Sequence, residues 1–359
     1  MISGIASVVA VLLSCLPLAG SEPIDETNGS VTDVAELVCD ESFEPILLSG
    51  RVVFESGEPA VGSVVSIELR KRGSTERQTA RIVTSDDGRF RARIRVEPEI
   101  LVATPILAES ADGQLAGMFG FASNRDIGRQ ERVEIRLANF RKLSVLVTDN
   151  SGAGIQGARV AVCTGLPFYT KAGSTNSDGV ATIQVPANCR IEQVVAWSDA
   201  QGLDYRLLQP SPDENVAGNV PPADLFPTNQ LTLKLEGAVP VSFKVVDQQG
   251  QPLVGAMVRP WLLRRDSASG FLNCSGFGSE LTTLTDAQGT TEFPWFPAWQ
   301  KQNVVVWPSH PGFVRKRVVF QPDDVTGVQE IVLTRLVPIR GTVRYADGKP
   351  AKNIRLTAD

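Results

Sequence analysis

The sequence predicts an all-β chain, a row of seven-stranded-type sandwich domains of which three are complete and one is truncated. Three observations carry that expectation. A glycine turn flanked by valines recurs along the chain at near-constant spacing. A second turn, of the form Thr-x-x-x-Gly, follows each complete recurrence and leads into a strand of alternating apolar and polar residues. No window shows a convincing 3.6-residue apolar period, while Val is frequent and Gly (31) and Pro (23) are plentiful, a mix suited to short strands and tight turns.

The chain has 359 residues, 42% of them hydrophobic, enough for several packed cores. It opens on an apolar stretch from Ile5 to Ala19, broken by Ser14, Cys15 and Pro17. That stretch is too short for a membrane span and fits the apolar part of a secretory signal over residues 1–21, with Ala19-Gly20-Ser21 as the small-residue cleavage site. No Lys or Arg precedes it, so an uncleaved anchor or a mis-assigned start stays as the alternative. The Leu13 and the apolar residues around Cys15 argue against a lipoprotein box. No later stretch is apolar and long enough to cross a membrane.

Charge is unevenly spread. Residues 1–50 hold no Lys or Arg but eight acids, whereas the whole chain has a formal charge of −5. Residues 22–45 read as an acidic tether. No domain carries the clustered basic charge of a nucleic-acid binder.

From residue 46 onward the repeat dominates. Gly57, Gly152, Gly250 and Gly348 lie 95, 98 and 98 residues apart. Val52, Val147, Val245 and Val343 stand five residues before them; Pro59, Gly154, Pro252 and Pro350 stand two after. Val65, Val160, Val258 and Leu356 follow at eight. Gly tolerates positive φ and Pro fixes it, so each block reads as strand, tight turn, strand. The Thr-x-x-x-Gly turns are Thr84–Gly88, Thr175–Gly179 and Thr285–Gly289, and Trp197 and Trp307 recur 18 residues after their glycines. Units close on Val133/Ile135/Leu137, Leu231/Leu233/Leu235 and Ile331/Leu333. A period of this size suits a self-contained sandwich rather than a solenoid, so each unit is expected to enclose its own core. The boundaries are 46–138, 139–236 and 237–336 for repeats one to three. Residues 337–359 read as the start of a fourth, cut off after its second strand or adding that strand to a neighbour.

These residues resemble the carboxypeptidase regulatory-like domain. Gly250, Pro252, Gly255, Ala256, Val258, Thr285, Asp286 and Gly289 carry the likeness in unit three; Gly152, Gly157, Ala158, Val160, Thr175 and Gly179 carry it in unit two. Gly154 stands where Pro is usual, Ser63 replaces Ala in unit one and Asn353 replaces Gly in unit four. The resemblance spans roughly residues 46–359. It implies a prealbumin-like (transthyretin-like, Ig-like) sandwich with a carbohydrate-binding-like fold, used as an accessory domain of secreted enzymes and surface proteins. Fold alone does not fix function.

Catalysis is not expected. His310 is the one histidine, in a Pro-Ser-His-Pro-Gly-Phe turn without metal-ligand spacing or a triad partner. Asp86, Asp178 and Asp286 recur in turns, where Asp caps backbone amides. No Ca²⁺ loop and no phosphate-binding glycine loop is present, and no cofactor or metal is expected.

Three groups remain as candidates. Cys163 and Cys189 align with Trp261 and Trp299 of unit three, so a disulfide in one unit would occupy the place of a Trp–Trp contact in the other. Cys39 and Cys274 are left to pair together, to stay free or to bond another chain. The segment Phe293–Trp299 offers Trp295, Phe296 and Trp299 either to the core or to the face of a sugar ring. Arg89, Arg91, Arg93 and Arg95 alternate with apolar residues, near Arg70-Lys71-Arg72, as a stripe that is either a solvated face or a grip for an acidic polysaccharide or anionic lipid.

The expected function is a non-enzymatic scaffold that is secreted, periplasmic or on the cell surface, with polysaccharide or cell-envelope proteins as partners and no nucleic acid. A carbohydrate-binding array and the accessory region of a larger enzyme are the rival readings.

Overall fold

The computed structural model describes residues 35–39, 43–70, 77–102, 104–121, 127, 133–164, 169–208, 230–266, 270–322, 327–337 and 341–351. The expected signal segment lies outside them, as does most of the acidic tether. Among the described residues the fold is all-β, as the punctuation predicts, with one short helix at Pro98–Val102 and a 3-10 turn at Cys274–Phe277.

The glycine turn has the same geometry four times. Gly57, Gly152, Gly250 and Gly348 all take positive φ, between 76° and 89°. In each turn an amide closes on a carbonyl four residues on at 2.9 Å: Phe54 to Glu58, Asp149 to Ala153, Asp247 to Gln251 and Tyr345 to Lys349. The same bridge follows each time, Val53 with Pro59, Thr148 with Gly154, Val246 with Pro252 and Arg344 with Pro350. In unit two Gly154 stands in place of Pro because the backbone of Asp178 and Gly179 comes so close that a Cβ there would fall on the Asp178 carbonyl.

Unit one contains β1 (Ala35–Val38), β2 (Ile46–Phe54), β3 (Val64–Arg70), β4 (Arg77–Val83), β5 (Arg89–Arg95), β6 (Ile106–Glu109), β7 (Leu115–Phe119) and β8 (Val133–Asn139). They hydrogen-bond in the order β1-β5-β2-β8-β7-β6-β3-β4. Strand β8 pairs with β2 at its start and with β7 at its end, so it is the corner where one layer becomes the other. Strand β1 corrects the extent of the tether. Despite its acidic surroundings it adds parallel to β5, with Leu37 buried and Glu36 opposite Arg93.

Unit two contains β9 (Arg141–Thr148), β10 (Arg159–Thr164), β11 (Thr170–Ser174), β12 (Val180–Val185), β13 (Ile191–Ser198), β14 (Gly202–Leu207) and β15 (Leu231–Lys234). Its layers are β12-β9-β15 and β11-β10-β13-β14. Unit three contains β16 (Val241–Val246), β17 (Met257–Val258), β18 (Leu262–Leu263), β19 (Leu272–Asn273), β20 (Thr283–Leu284), β21 (Thr290–Phe293), β22 (Val304–Val306), β23 (Val318–Phe320) and β24 (Gln329–Val332). One layer is β21-β16-β24; the other is broken into two-stranded ladders.

Leaving aside the added β1, the first and last strands of every unit are parallel neighbours: β2 with β8, β9 with β15, β16 with β24. The chain therefore enters each sandwich at one end and leaves at the other. Between β8 and β9 only Phe140 intervenes.

The expectation of one enclosed core per unit holds for unit one and fails further on. Unit one packs around Phe90, Ile94, Leu101 and Ile135, all buried, and unit two has an inner core of Leu143, Val145, Val160, Ile183 and Leu233. But Ala161, Cys163, Val195, Trp197, Leu203 and Tyr205 of unit two pack into the core of unit three, against residues such as Leu272, Phe277 and Leu281. The layer β11-β10-β13-β14 is covered on both faces, by its own unit and by the next. Burial on both sides is what makes 160–163 and 194–197 unbroken apolar runs rather than alternating ones.

Candidate functional site

The Thr-x-x-x-Gly turns hold the sandwich shut. Thr84, Thr175 and Thr285 are all buried. Each hydroxyl accepts an amide from the glycine-turn loop, Ser63 at 2.9 Å, Ala158 at 2.9 Å and Ala256 at 2.8 Å. Each also donates to a carbonyl of that loop, Ala60, Ile155 or Leu253. The partner glycine closes the other side: Gly88, Gly179 and Gly289 accept the Val52, Val147 and Val245 amides at 2.8 Å through their carbonyls. Of the recurrent acids, Asp286 caps its turn, accepting the Gln288 and Thr290 amides at 2.9 Å; in unit two Asn176, and not Asp178, accepts the Asp178 and Val180 amides, and in unit one Asp87, beside Asp86, accepts the Arg89 amide. Asp87 lies below the usual carboxylate range because Ser85 and the Arg89 amide bond it, and Asp149, in the glycine turn of unit two, is lowered chiefly by Ser151.

His310 is a turn residue. Its ring nitrogens face the carbonyls of Pro311 (2.9 Å) and Val254 (3.2 Å), and its ring meets Phe313 edge-on at 5.3 Å. Among the described residues no group of three His, Cys, Asp or Glu could hold a metal ion, and no helix is long and apolar enough to cross a membrane.

The disulfide expected between Cys163 and Cys189 does not form. The two thiols lie in different cores: Cys163, on β10, in the core shared with unit three, and Cys189, in the turn between β12 and β13, in that of unit two. Cys163 donates to the Gly276 carbonyl at 3.1 Å and Cys189 lies 3.7 Å from the Met118 sulfur of unit one. The alignment misled because Trp261 contacts Trp307, 6.1 Å between ring centres, and not Trp299. Burial pushes the thiols of Cys163, Cys189 and Cys274 up to about 12, which keeps them unreactive. Cys39 is also buried, with Gln78 beside its sulfur at 3.8 Å.

Trp295, Phe296 and Trp299 are corrected as ligand contacts. Trp295 and Phe296 are 4% and 0% exposed and pack against Phe293 and Phe320. Of the two readings, the core is where both rings lie. Trp299 belongs to the boundary with unit two: its indole N–H donates to the Leu203 carbonyl at 2.7 Å, and the Arg265 guanidinium lies 4.8 Å above its ring. A stacked sugar has no open ring face here. The tryptophan of unit three that does reach the surface is Trp261, 37% exposed.

Around Trp299 the boundary between units two and three is closely bonded. Arg265 binds Asp204 (3.0 Å) and Glu236 (2.7 Å). The Tyr205 hydroxyl donates to the Gly270 carbonyl at 3.1 Å, the Thr170 hydroxyl to Gly276 at 2.7 Å, and Arg159 pairs with Glu280 at 2.8 Å. The chain turns so tightly at Gly202 (φ 94°) that any Cβ there would fall on the Gly237 carbonyl. Sequence reasoning missed this boundary; the doubled apolar runs of β10 and β13 were its signal.

The boundary between units one and two is looser. Asn188 bonds the Met118 amide (3.2 Å) and carbonyl (2.7 Å) from an exposed position. Beside it a cleft of about 230 Å³ is lined by residues including Leu107, Glu109, Tyr169, Lys171 and Gln184.

The arginine stripe is on the outer face of unit one. Phe90, Ala92, Ile94 and Val96 point into the core, and Arg89, Arg91, Arg93 and Arg95 point away from it. Arg70 is not beside them, because β3 lies in the other layer; Lys71 and Arg72 are outside the described residues.

No protein-family model matches the chain, and no curated protein matches it. Solved structures give loose likenesses. A streptococcal ancillary pilin is 10% identical, covering 82% of this chain and 99% of its own, with a TM-score of 0.22. The shaft pilin SpaA of Lactobacillus rhamnosus GG is 14% identical over 56% of this chain and 100% of its own, TM-score 0.23. BcpA, the major pilin subunit of Bacillus cereus, is 9% identical over 82% and 100%, TM-score 0.21. Likenesses this loose do not bear on function, which rests on the chain's own residues.

Proposed function

We propose that this chain is a non-catalytic spacer outside the cytoplasm, built from carboxypeptidase regulatory-like sandwich units that hold whatever they carry at a set distance and orientation. Export is supported by the apolar stretch from Ile5 to Ala19. Partners fitting this role are cell-envelope or surface proteins and polysaccharide. The observation that carries the reading is the core shared by units two and three, in which Trp197, Leu203 and Tyr205 are buried by the neighbouring unit. Flexibly linked domains keep small, polar contacts and move relative to each other. A core continuous across the boundary fixes the angle instead, and the parallel first and last strands direct the chain from one end of each unit to the other.

Small-angle scattering on the full chain tests this. The parent is expected to fit one elongated shape with units two and three in a single orientation. Gly202→Val, which drives a side chain into the Gly237 carbonyl, is expected to broaden the distribution of dimensions. A parent profile that requires many orientations of units two and three would end the spacer reading.

A further inference from the structure

The outer face of unit one has a feature that a spacer does not need. Along β5, residues two apart lie about 6.8 Å from one another, so Arg89, Arg91, Arg93 and Arg95 form a row roughly 20 Å long. The row widens at one end, where Arg51 of β2 stands opposite Arg89. Arg89 is neutralised by Asp87 at 3.0 Å, and the Arg51 Nε donates to the Asp87 carbonyl at 3.2 Å. Among the described residues Arg91, Arg93 and Arg95 form no ion pair, and like charges side by side on one sheet face repel. Such a row is relieved by an anion, and guanidinium groups match carboxylate or sulfate oxygens two at a time.

What lies beside the row narrows the choice of anion. On one flank Glu36 of β1 stands opposite Arg93; on the other, Glu134 of β8 stands beside Arg51 and pairs with Arg136 at 2.8 Å. The positive strip is therefore about one strand wide with carboxylates on both sides. A flat anionic bilayer would press phosphates onto those carboxylates, whereas a single anionic chain lies between them. Next to Arg93 is Leu47, 53% exposed, which gives the strip an apolar spot. The C–H face of a sugar ring can use it. We infer that the outer face of unit one binds a linear anionic polysaccharide lying along β5, with Arg91, Arg93 and Arg95 contacting its carboxylate or sulfate groups. A rigid spacer could exist without this ligand, and the ligand could bind without rigid spacing.

Retention of the full chain on immobilised polygalacturonate and heparin, against neutral dextran, tests the inference. The parent is expected to be held by one or both acidic polymers and released by salt, and to pass through dextran. Arg91→Gln, Arg93→Gln and Arg95→Gln together, all on the outer face, are expected to weaken binding at least about tenfold and to flatten its salt dependence. Arg206→Gln with Arg317→Gln, on exposed positions of units two and three, is expected to change it less than about twofold. Circular dichroism and scattering of the triple variant should match the parent, which separates this result from the spacer reading. Failure of the parent to bind either polymer, or equal binding by the triple variant, overturns the inference. So does equally tight binding of the parent to phosphatidylglycerol vesicles that is lost in the triple variant, since the face would then be a membrane contact.

Discussion

Arg265 of unit three reaches Asp204 of unit two at 3.0 Å, where the two side chains are 23% and 14% exposed. Asp204 is also tied down by the amides of Tyr205 and Lys234, both at 2.8 Å. Removing the acid therefore leaves two amides without their acceptor and a partly buried guanidinium with Glu236 alone as its ion-pair partner, while removing the arginine leaves a carboxylate still solvated by amides. Asp204→Ala is expected to cost about 3 kcal/mol and Arg265→Ala about 1–2 kcal/mol. The double variant should show a coupling of about 1 kcal/mol. All five tryptophans belong to units two and three, so denaturant unfolding followed by tryptophan fluorescence reads this boundary without interference from unit one. Strictly additive losses would show that the pair does not couple the units.

The threonine of the second turn is expected to matter more than its neighbours. In Thr285→Val the Ala256 amide and the Leu253 carbonyl both lose their partner inside the core. A cost of about 2 kcal/mol follows, against less than about 1 kcal/mol for Thr285→Ser, which keeps the hydroxyl. The same contrast is expected at Thr175 in unit two. Equal losses for Val and Ser at either position would mean the methyl group, and not the bonds, holds the turn.

The turns were legible in the sequence because backbone conformation leaves few residues that fit: Gly57, Gly152 and Gly250 must take positive φ. The function of Thr84, Thr175 and Thr285 as clasps was not, since a hydroxyl's partners lie some twenty to thirty residues away. The boundary was written in the sequence but read as ordinary core. The run Val160-Ala161-Val162-Cys163 does not alternate, and a strand of an isolated two-layer sandwich should. Cysteine pairing failed for a related reason, because the alignment places Cys163 and Cys189 along the chain without saying which core each one enters. β1 was hidden by charge: Glu36 masks the alternating Ala35 and Leu37, and its acid fits because it is on the exposed face while Leu37 is buried.

Stability should fall at both ends of the pH scale, for different groups. The thiols of Cys163, Cys189 and Cys274 are raised from 9.0 to about 12 by burial, so the protonated form is favoured by folding. Their contribution is complete below pH 9 and is lost as pH rises toward 12, because the unfolded chain ionises first. In acid, Asp87 and Asp149 are held below 3.8 by their hydroxyl and amide donors; what they contribute is present above that value and is lost as pH falls through their folded range. Thiol modification offers a direct check. The native chain at pH 8 should react with a maleimide at these three cysteines only on the time scale of unfolding, and in denaturant at once. Rapid native labelling of Cys163 would mean that the core between units two and three opens.

The boundary between units one and two should yield where the other holds. Asn188 makes both of its bonds to Met118 from an exposed position, and the cleft lined by Glu109, Lys171 and Gln184 keeps polar side chains there instead of a shared core. Water can replace those bonds, so Asn188→Ala is expected to cost less than about 1 kcal/mol and to leave the tryptophan-detected transition in place. Exchange of the Met118 amide should nevertheless quicken, because its acceptor is gone while the strands on either side are intact. Amide exchange read by mass spectrometry across 115–119 and 186–191 distinguishes this local loosening from loss of the sandwich. Slow exchange at Met118 in the variant would place the hold between these units elsewhere, at the Cys189–Met118 sulfur contact and the apolar residues around it.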